Sequence, residues 1–453
     1  MTTLHAIRSK RVVTPEGVRA ATVHIRDGVV GAISGYDDFP SGKHAYDAGG
    51  SVVMPGLVDT HVHINEPGRT SWEGFRTATR AAAAGGVTTL IDMPLNSIPA
   101  TTTAAALGGK RAAARGKCWV DVGFWGGVVP GNAAELPALA RAGAFGFKCF
   151  LVPSGVPEFA HVREDDLRAA MPGLAAIDAP LLVHAELPEP IERATRKLAK
   201  SDPTRYSTWL SSRPPSAETK AVEMMIRLAR EFKARVHIVH LSSALSLPLI
   251  RRAKKEGVRI SVETCPHYLF FSSASIRNGR TEYKCAPPIR DLENSEQLWT
   301  ALERSAIDFV VSDHSPSPPA MKSLKTGDFF EAWGGISSLQ LGLPAMWTKF
   351  SARNFSLRHL VRWMCSGPAR LAGLEKHKGS LATGCDADIV VWNPERRFTV
   401  LPKMLQHRHK LTPYLNAPLR GAVEATFLRG EMIYDRGRLL GKPRGVLLRR
   451  GQR

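Results

Sequence analysis

The chain has 453 residues, 43% of them hydrophobic and 23% charged, and its 61 Lys and Arg against 41 Asp and Glu give a formal net charge of +20. That length exceeds the range over which one hydrophobic core keeps growing, so one large domain with a smaller one is expected, and the composition excludes a disordered, collagenous or coiled-coil chain. The basic clusters (RRAKK from Arg251, HRHK from His407, the tail RRGQR) are short, separated and free of interleaved aromatics; they read as solvated surface, and neither nucleic acid nor membrane is an expected partner.

From the N-terminus, MTTLHAIRSKRVV lacks the apolar run of a secretory signal, and nowhere do about 18 apolar residues run together as a membrane span requires, so a cytoplasmic location is expected. Residues 1–54 read as short strands: VRAATVHIRDGVVGAIS alternates, turns at Asp27-Gly28 and resumes, which is a hairpin signature. Across 55–365 apolar strands alternate with helices, as where FRTATRAAAAGG precedes GVTTLIDMP and AETKAVEMMIRLAREFKA precedes VHIVHLS. Such alternation predicts a parallel sheet covered by helices, and the roughly 250 residues from His61 to Asp313 suit eight βα units. Residues 366–453 return to β texture in ADIVVWNP, EATFLRG and EMIYDRG. The expected fold is therefore α/β, a (β/α)8 barrel with a small β-sandwich built from both chain ends. The six cysteines carry no CxxC pair, which argues for reduced thiols over a disulfide framework or a zinc ribbon.

Chemistry concentrates at the ends of the apolar strands. His61 and His63 in VDTHVHINEPG stand two apart, and on a strand such residues face the same way, so both imidazoles can reach one metal ion. Lys148 interrupts FGFKCFLV, where an ammonium must be neutralised, paired or chemically altered; a neutral lysine can add carbon dioxide to form a carbamate whose two oxygens bridge two cations. His184 closes LLVHAE and His240 closes VHIVHLS, and residues at the C-terminal strand ends of a barrel converge on one mouth. His237 falls on the other strand face and reads as packing, whereas His267 in ETCPHYLF is either structural or a support to the ligands. Asp313 in DFVVSDHSP follows an apolar strand directly, and it either meets a metal or histidine or caps the next segment. Asn96, Cys285 and Ser315 sit at strand ends where they can contact substrate, or merely stabilise loops. Residues 318–333 are a candidate lid.

The ordered set of His61, His63, Lys148, His184, His240 and Asp313, with the MPGLVDTHVH entry and the closing GLEKHKGSLATGCDADIVVWNP, resembles the cyclic amidohydrolases over nearly the whole chain. Within them HINEPGRTSWEGF, DMPLNSIPATT, GFKCFLVPSGVPEF, SRPPSAE, HLSSA and YKCAPPIR are most similar to the allantoinase family. Dihydroorotases place an arginine two residues after the HxH pair to clamp a carboxylate, and here Asn65 stands there; dihydropyrimidinases and hydantoinases carry a tyrosine five residues beyond the bridging lysine, and here Pro153 stands there. Metal-free relatives serve as interaction proteins, but this chain keeps every expected ligand, which points to an enzyme.

The resemblance implies a two-metal hydrolase of a cyclic amide, with allantoin opened to allantoate as the expected reaction and dihydropyrimidine or hydantoin hydrolysis as the alternative. It implies that His61 and His63 bind one divalent ion and His184 and His240 the other. Carbamylated Lys148 would bridge both, and Asp313 would complete the first site and act as the catalytic acid-base. Zinc suits these ligands, with iron, cobalt or manganese also compatible. A homotetramer or dimer is implied by the same resemblance.

Overall fold

The alternating segment at the N-terminus folds as its turn residues dictate. Strands Val18–Arg26 and Val29–Ser34 pair antiparallel across Asp27 and Gly28, whose φ angles of 52° and 79° are the two left-handed residues that match a tight turn to strand twist. The structure is a computed structural model describing residues 5–42 and 44–451; the first four residues of the N-terminal segment and Gln452 and Arg453 of the basic tail lie outside the described residues.

Both chain ends contribute to one nine-stranded sheet. Its joint is the short strand Val52–Pro55, parallel to Ala6–Val13 on one side and antiparallel to Ile389–Thr399 on the other. Ile389–Thr399 pairs in turn with Pro418–Leu428. The inward residues of the two halves, among them Ile7, Val23, Val53, Ile389, Val391 and Phe427, form one buried cluster, and the Tyr46 ring meets Phe427 edge-on at 5.4 Å. The sheet thus folds onto itself around a core of its own. The C-terminal tail leaves this sheet and lies on the barrel, where Leu447 bridges Val122.

The barrel comprises strands Leu57–Val62, Val87–Asp92, Asp121–Phe124, Phe147–Phe150, Leu181–His184, Val236–Ile238, Ile260–Thr264 and Phe309–Val310. Neighbours are parallel wherever they pair, and a bridge from Val62 to His314 closes the ring. The covering helices follow their apolar stripes: Pro215–Phe232 buries Ala217, Ala221, Val222, Met225, Leu228 and Ala229, a spacing that puts one face on the strands, and ends where Lys233 turns left-handed at φ 52°. All six cysteines are buried and free. No described helix is long and apolar enough to cross a membrane.

Candidate active site and metal centre

Parallel strands deliver their C-terminal ends to one mouth. His61, Lys148 and His184 stand in strands, whereas His240 and Asp313 lie just beyond theirs with φ of 38° and 45°. A left-handed backbone at non-glycine residues is costly, and here it turns both side chains inward instead of continuing the strand.

The geometry brings five of these side chains around a cavity of about 340 Å³, lined by His61, His63, His184, His240 and Asp313. Asp313 Oδ1 lies 3.2 Å from His61 Nε2 and 3.5 Å from His63 Nε2. The His61 ring is 5.3 Å from that of His240, which meets His184 at 4.6 Å. Lys148 lies behind this lining, fully buried, with its Nζ 4.8 Å from the centre of the Phe150 ring and no hydrogen-bond partner among the described residues. Burial pushes its ammonium down to about 8 against the pull of Glu263.

His61 and His184 are each aimed by a carboxylate behind the ring. Glu263 accepts from His61 Nδ1 at 2.5 Å, from His237 Nε2 at 2.9 Å and from the His240 backbone N–H at 3.3 Å. Burial alone would raise its carboxyl, yet His61 and His237 hold it near 2. Glu186 accepts from His184 Nε2 at 2.7 Å and from Arg213 at 2.6 Å; against the upward push of burial, Arg213 and then His184 hold it near 2. Asp59 takes the backbone N–H groups of His61 and Ser312, both at 3.0 Å, and tethers the first and last barrel strands beneath the site. His237, expected on the other strand face, instead stands in register with Lys148, stacks on Phe309 at 5.1 Å and shares Glu263 with His61. His267 is buried with both ring nitrogens unpartnered among the described residues, and burial lowers it to about 4.

These residues fit a divalent metal centre. Donor atoms of His61, His63 and Asp313 lie within 4.8 Å of one another, as do those of Cys265, His267 and Asp313. Burial lowers His63 to about 4, with Asp313 opposing, so its imidazole is neutral and able to bind a cation. His184 and His240 bring no comparable third donor of their own, and the unpartnered Lys148 amine is the nearby group that chemistry could convert into one. Asn96, Cys285 and Ser315 all line the cavity; Asn96 is buried at φ 66° with its Oδ1 unpartnered among the described residues. Pro153 is in the wall, whereas Asn65 turns away and donates to the Pro316 carbonyl at 3.3 Å.

The model of the amidohydrolase family matches residues 52–433. The chain belongs to the amidohydrolase family. This amidohydrolase is 50% identical over 445 residues to an allantoinase of Streptomyces avermitilis, with 98% of each chain covered. It is 45% identical to an allantoinase of Saccharomyces cerevisiae over 84% of this chain and 82% of that one. Among solved structures it resembles an L-hydantoinase (dihydropyrimidinase) from Arthrobacter aurescens, with TM-score 0.93 and 32% identity over 98% of this chain and 99% of that one. A D-hydantoinase (dihydropyrimidinase) from a Thermus species follows the same fold with TM-score 0.89 and 26% identity, each chain covered to 98%. These hydantoinases extend the likeness to the folded-over sheet as well as the barrel.

Glu263, Glu186 and Asp59 escape a reading of the sequence that looks only for ligands. Two of them carry a signal nonetheless: Glu186 follows His184 by two and shares its strand face, and Glu263 interrupts an apolar strand as Lys148 does.

Proposed function

We infer that the protein hydrolyses a cyclic amide, opening allantoin to allantoate. The half-identity with an allantoinase along the full length of both chains carries this reading. The cavity supports it: about 340 Å³ holds a small polar ring, Asn65 supplies no cationic clamp, the cations in the wall are committed elsewhere (Arg213 to Glu186, Lys284 to backbone carbonyls), and Asn96, Cys285 and Ser315 offer neutral contacts.

In this reading His61, His63 and Asp313 hold one divalent ion, probed first as zinc, and His184 and His240 hold a second. Lys148, carboxylated on Nζ by carbon dioxide, would serve as a ligand to both. Divalent ions held there would supply Lewis-acid activation of water and of the ring carbonyl. The protein's own part is positional and acid-base. Glu263 and Glu186 fix the ring orientations of His61 and His184. Asp313, which burial would raise but His61 and His63 hold well below the usual carboxylate range, is ionised and can take the proton of the attacking water and return it to the departing ring nitrogen. We place the division between sheet and barrel at residues 54/55 and 365/366, the active species as a homotetramer or dimer, and the enzyme in the cytoplasm.

Hydantoin or dihydropyrimidine hydrolysis is the second reading, supported by the likeness to solved hydantoinase structures. Purified, metal-supplemented protein assayed with bicarbonate against allantoin, hydantoin, dihydrouracil and dihydroorotate separates the two. Allantoin should dominate kcat/KM; dominance of hydantoin or dihydrouracil would transfer the enzyme to the second reading.

A further inference from the structure

Two cavities lie at the opposite end of the barrel from the catalytic mouth. One of about 530 Å³ is bordered by the residues that precede four consecutive strands, Pro180, Arg235, Arg259 and Asp308, together with Arg362 and Arg370. A second of about 480 Å³ adjoins it through the shared Arg362 and is lined by Arg358, His359 and the hydroxyls of Thr14, Ser356, Ser366 and Ser380, with no carboxylate in its wall. Both volumes fall in the usual range for small-molecule sites.

The charges around this trough do not cancel. Arg235 and Arg259 are engaged by Asp178, at 3.4 and 2.5 Å. Asp308 is engaged by Lys254 at 2.6 Å and by the Val262 N–H at 2.7 Å. Arg362 is half-buried and gives one N–H to the Leu302 carbonyl at 2.8 Å, and the Arg370 guanidinium makes no hydrogen bond or ion pair among the described residues. Arg362 is disfavoured as a cation by burial and by repulsion from Arg370, only partly offset by Asp308. The two guanidinium groups share this cavity with a single carboxylate, Asp308, whose Oδ2 is already engaged by Lys254 and the Val262 N–H, so positive charge is left in excess, and the fork of each guanidinium matches two oxygens of one anionic group.

We propose that this trough binds a phosphate monoester of a sugar or nucleoside, with Arg362 and Arg370 holding the phosphoryl group. Two guanidinium groups that make no ion pair among the described residues match the nearly doubled negative charge of a phosphate monoester better than the single charge of a carboxylate. The hydroxyl-lined neighbour across Arg362 provides room and hydrogen-bonding partners for the polyol part. The site stands on residues remote from the metal centre and is independent of the substrate assigned to it.

Isothermal titration of the full-length protein with ribose 5-phosphate, at about 0.15 M salt to screen the general basic surface, tests this. One saturable site per chain is expected, weakened about tenfold or more in Arg370→Ala, whose exposed side chain can be removed without opening a core. Arg193→Ala, on the exposed face of the distant helix Pro188–Lys197, should bind as the parent does. Absence of saturable binding, or equal loss in both variants, overturns the proposal. Inorganic phosphate binding as tightly as ribose 5-phosphate would reduce the trough to an adventitious ion site only and also overturns it.

Discussion

Lys148 Nζ is buried with no hydrogen-bond acceptor among the described residues, and the lowering of its ammonium to about 8 gives carboxylation a pH dependence that can be signed. Only the neutral amine adds carbon dioxide. At a fixed concentration of dissolved CO2, uptake of 13C label by metal-free protein should be slow below pH 7, rise through about 8 and level off above it. A rate independent of pH would contradict the buried-amine account. Lys148→Ala should lose bridged metal and activity together; a fully active, fully metallated variant would remove the bridging role. Behind the ligands, Glu263→Gln keeps the shape but exchanges a carboxylate for a neutral amide opposite His61 and His237. It should weaken metal affinity by about 10–100-fold, read by competition with a chelator, while leaving the fold intact. Lys148 was legible in the sequence because a charge inside an apolar strand demands an explanation. Glu263 makes the same demand in ISVET, but its partner His61 lies 202 positions away, and only the closed barrel shows that the two meet.

The loop over the mouth is held by two lysines acting on its carbonyls. Lys284 Nζ donates to Ala332 O at 2.5 Å and Phe330 O at 3.2 Å while lying 4.5 Å over the Trp209 ring. Lys322 Nζ donates to Trp333 O at 3.0 Å and Gly335 O at 2.5 Å. Trp333 then meets Trp72 at 5.0 Å, edge to face, from the loop after the first barrel strand. Lys322→Met fills similar space but leaves two buried carbonyls without donors, a cost of about 1–3 kcal/mol each. The expected outcome is faster proteolysis within 318–335 and a raised KM with kcat less affected; unchanged proteolysis would show that the loop is held by its aromatic contacts alone. The position of the loop could be read from the sequence, since residues 318–333 follow the last barrel strand at the face where the strands end. Its fastening could not, because a lysine bonded to backbone carbonyls leaves no pattern in side-chain types. Helices and strands were legible for the opposite reason: the stripe of Pro215–Phe232 and the hairpin at Asp27-Gly28 are local, whereas the crossing of both chain ends at Val52–Pro55 is a pairing across more than three hundred residues.

At the scale of the whole molecule the question is what locks the sheet to the barrel, and one buried charge cluster does so. Lys378 Nζ reaches Asp121 of the barrel at 2.7 Å and Asp386 and Asp388 at the edge of the sheet at 2.6 and 2.7 Å. Arg429 of the sheet reaches Asp121 at 2.5 Å, and the Val446 N–H of the tail donates to the same carboxylate at 2.9 Å. The carboxylates differ in consequence. Burial acts upward on both, but Asp121 faces Lys378 and Arg429 together and is held below its ordinary range, whereas Asp388, though paired with Lys378 and accepting the Arg429 backbone N–H at 2.8 Å, is repelled by Asp121 and is pushed up. The depressed carboxyl of Asp121 contributes stability that is present above its unfolded pKa and is lost as pH falls through the folded one. Lys378→Met removes the central cation and strands buried carboxylates, so unfolding free energy should drop by about 3–5 kcal/mol at pH 8. The stranded carboxylates of the variant can take up protons in mild acid, whereas Asp121 of the parent is held below its ordinary range and stays ionised at pH 5, so the difference between the two proteins should shrink towards pH 5 through the variant. Thermal unfolding of both at the two pH values checks this: a gap that stays constant would mean that Lys378 acts through the packing of its stem and not through its charge.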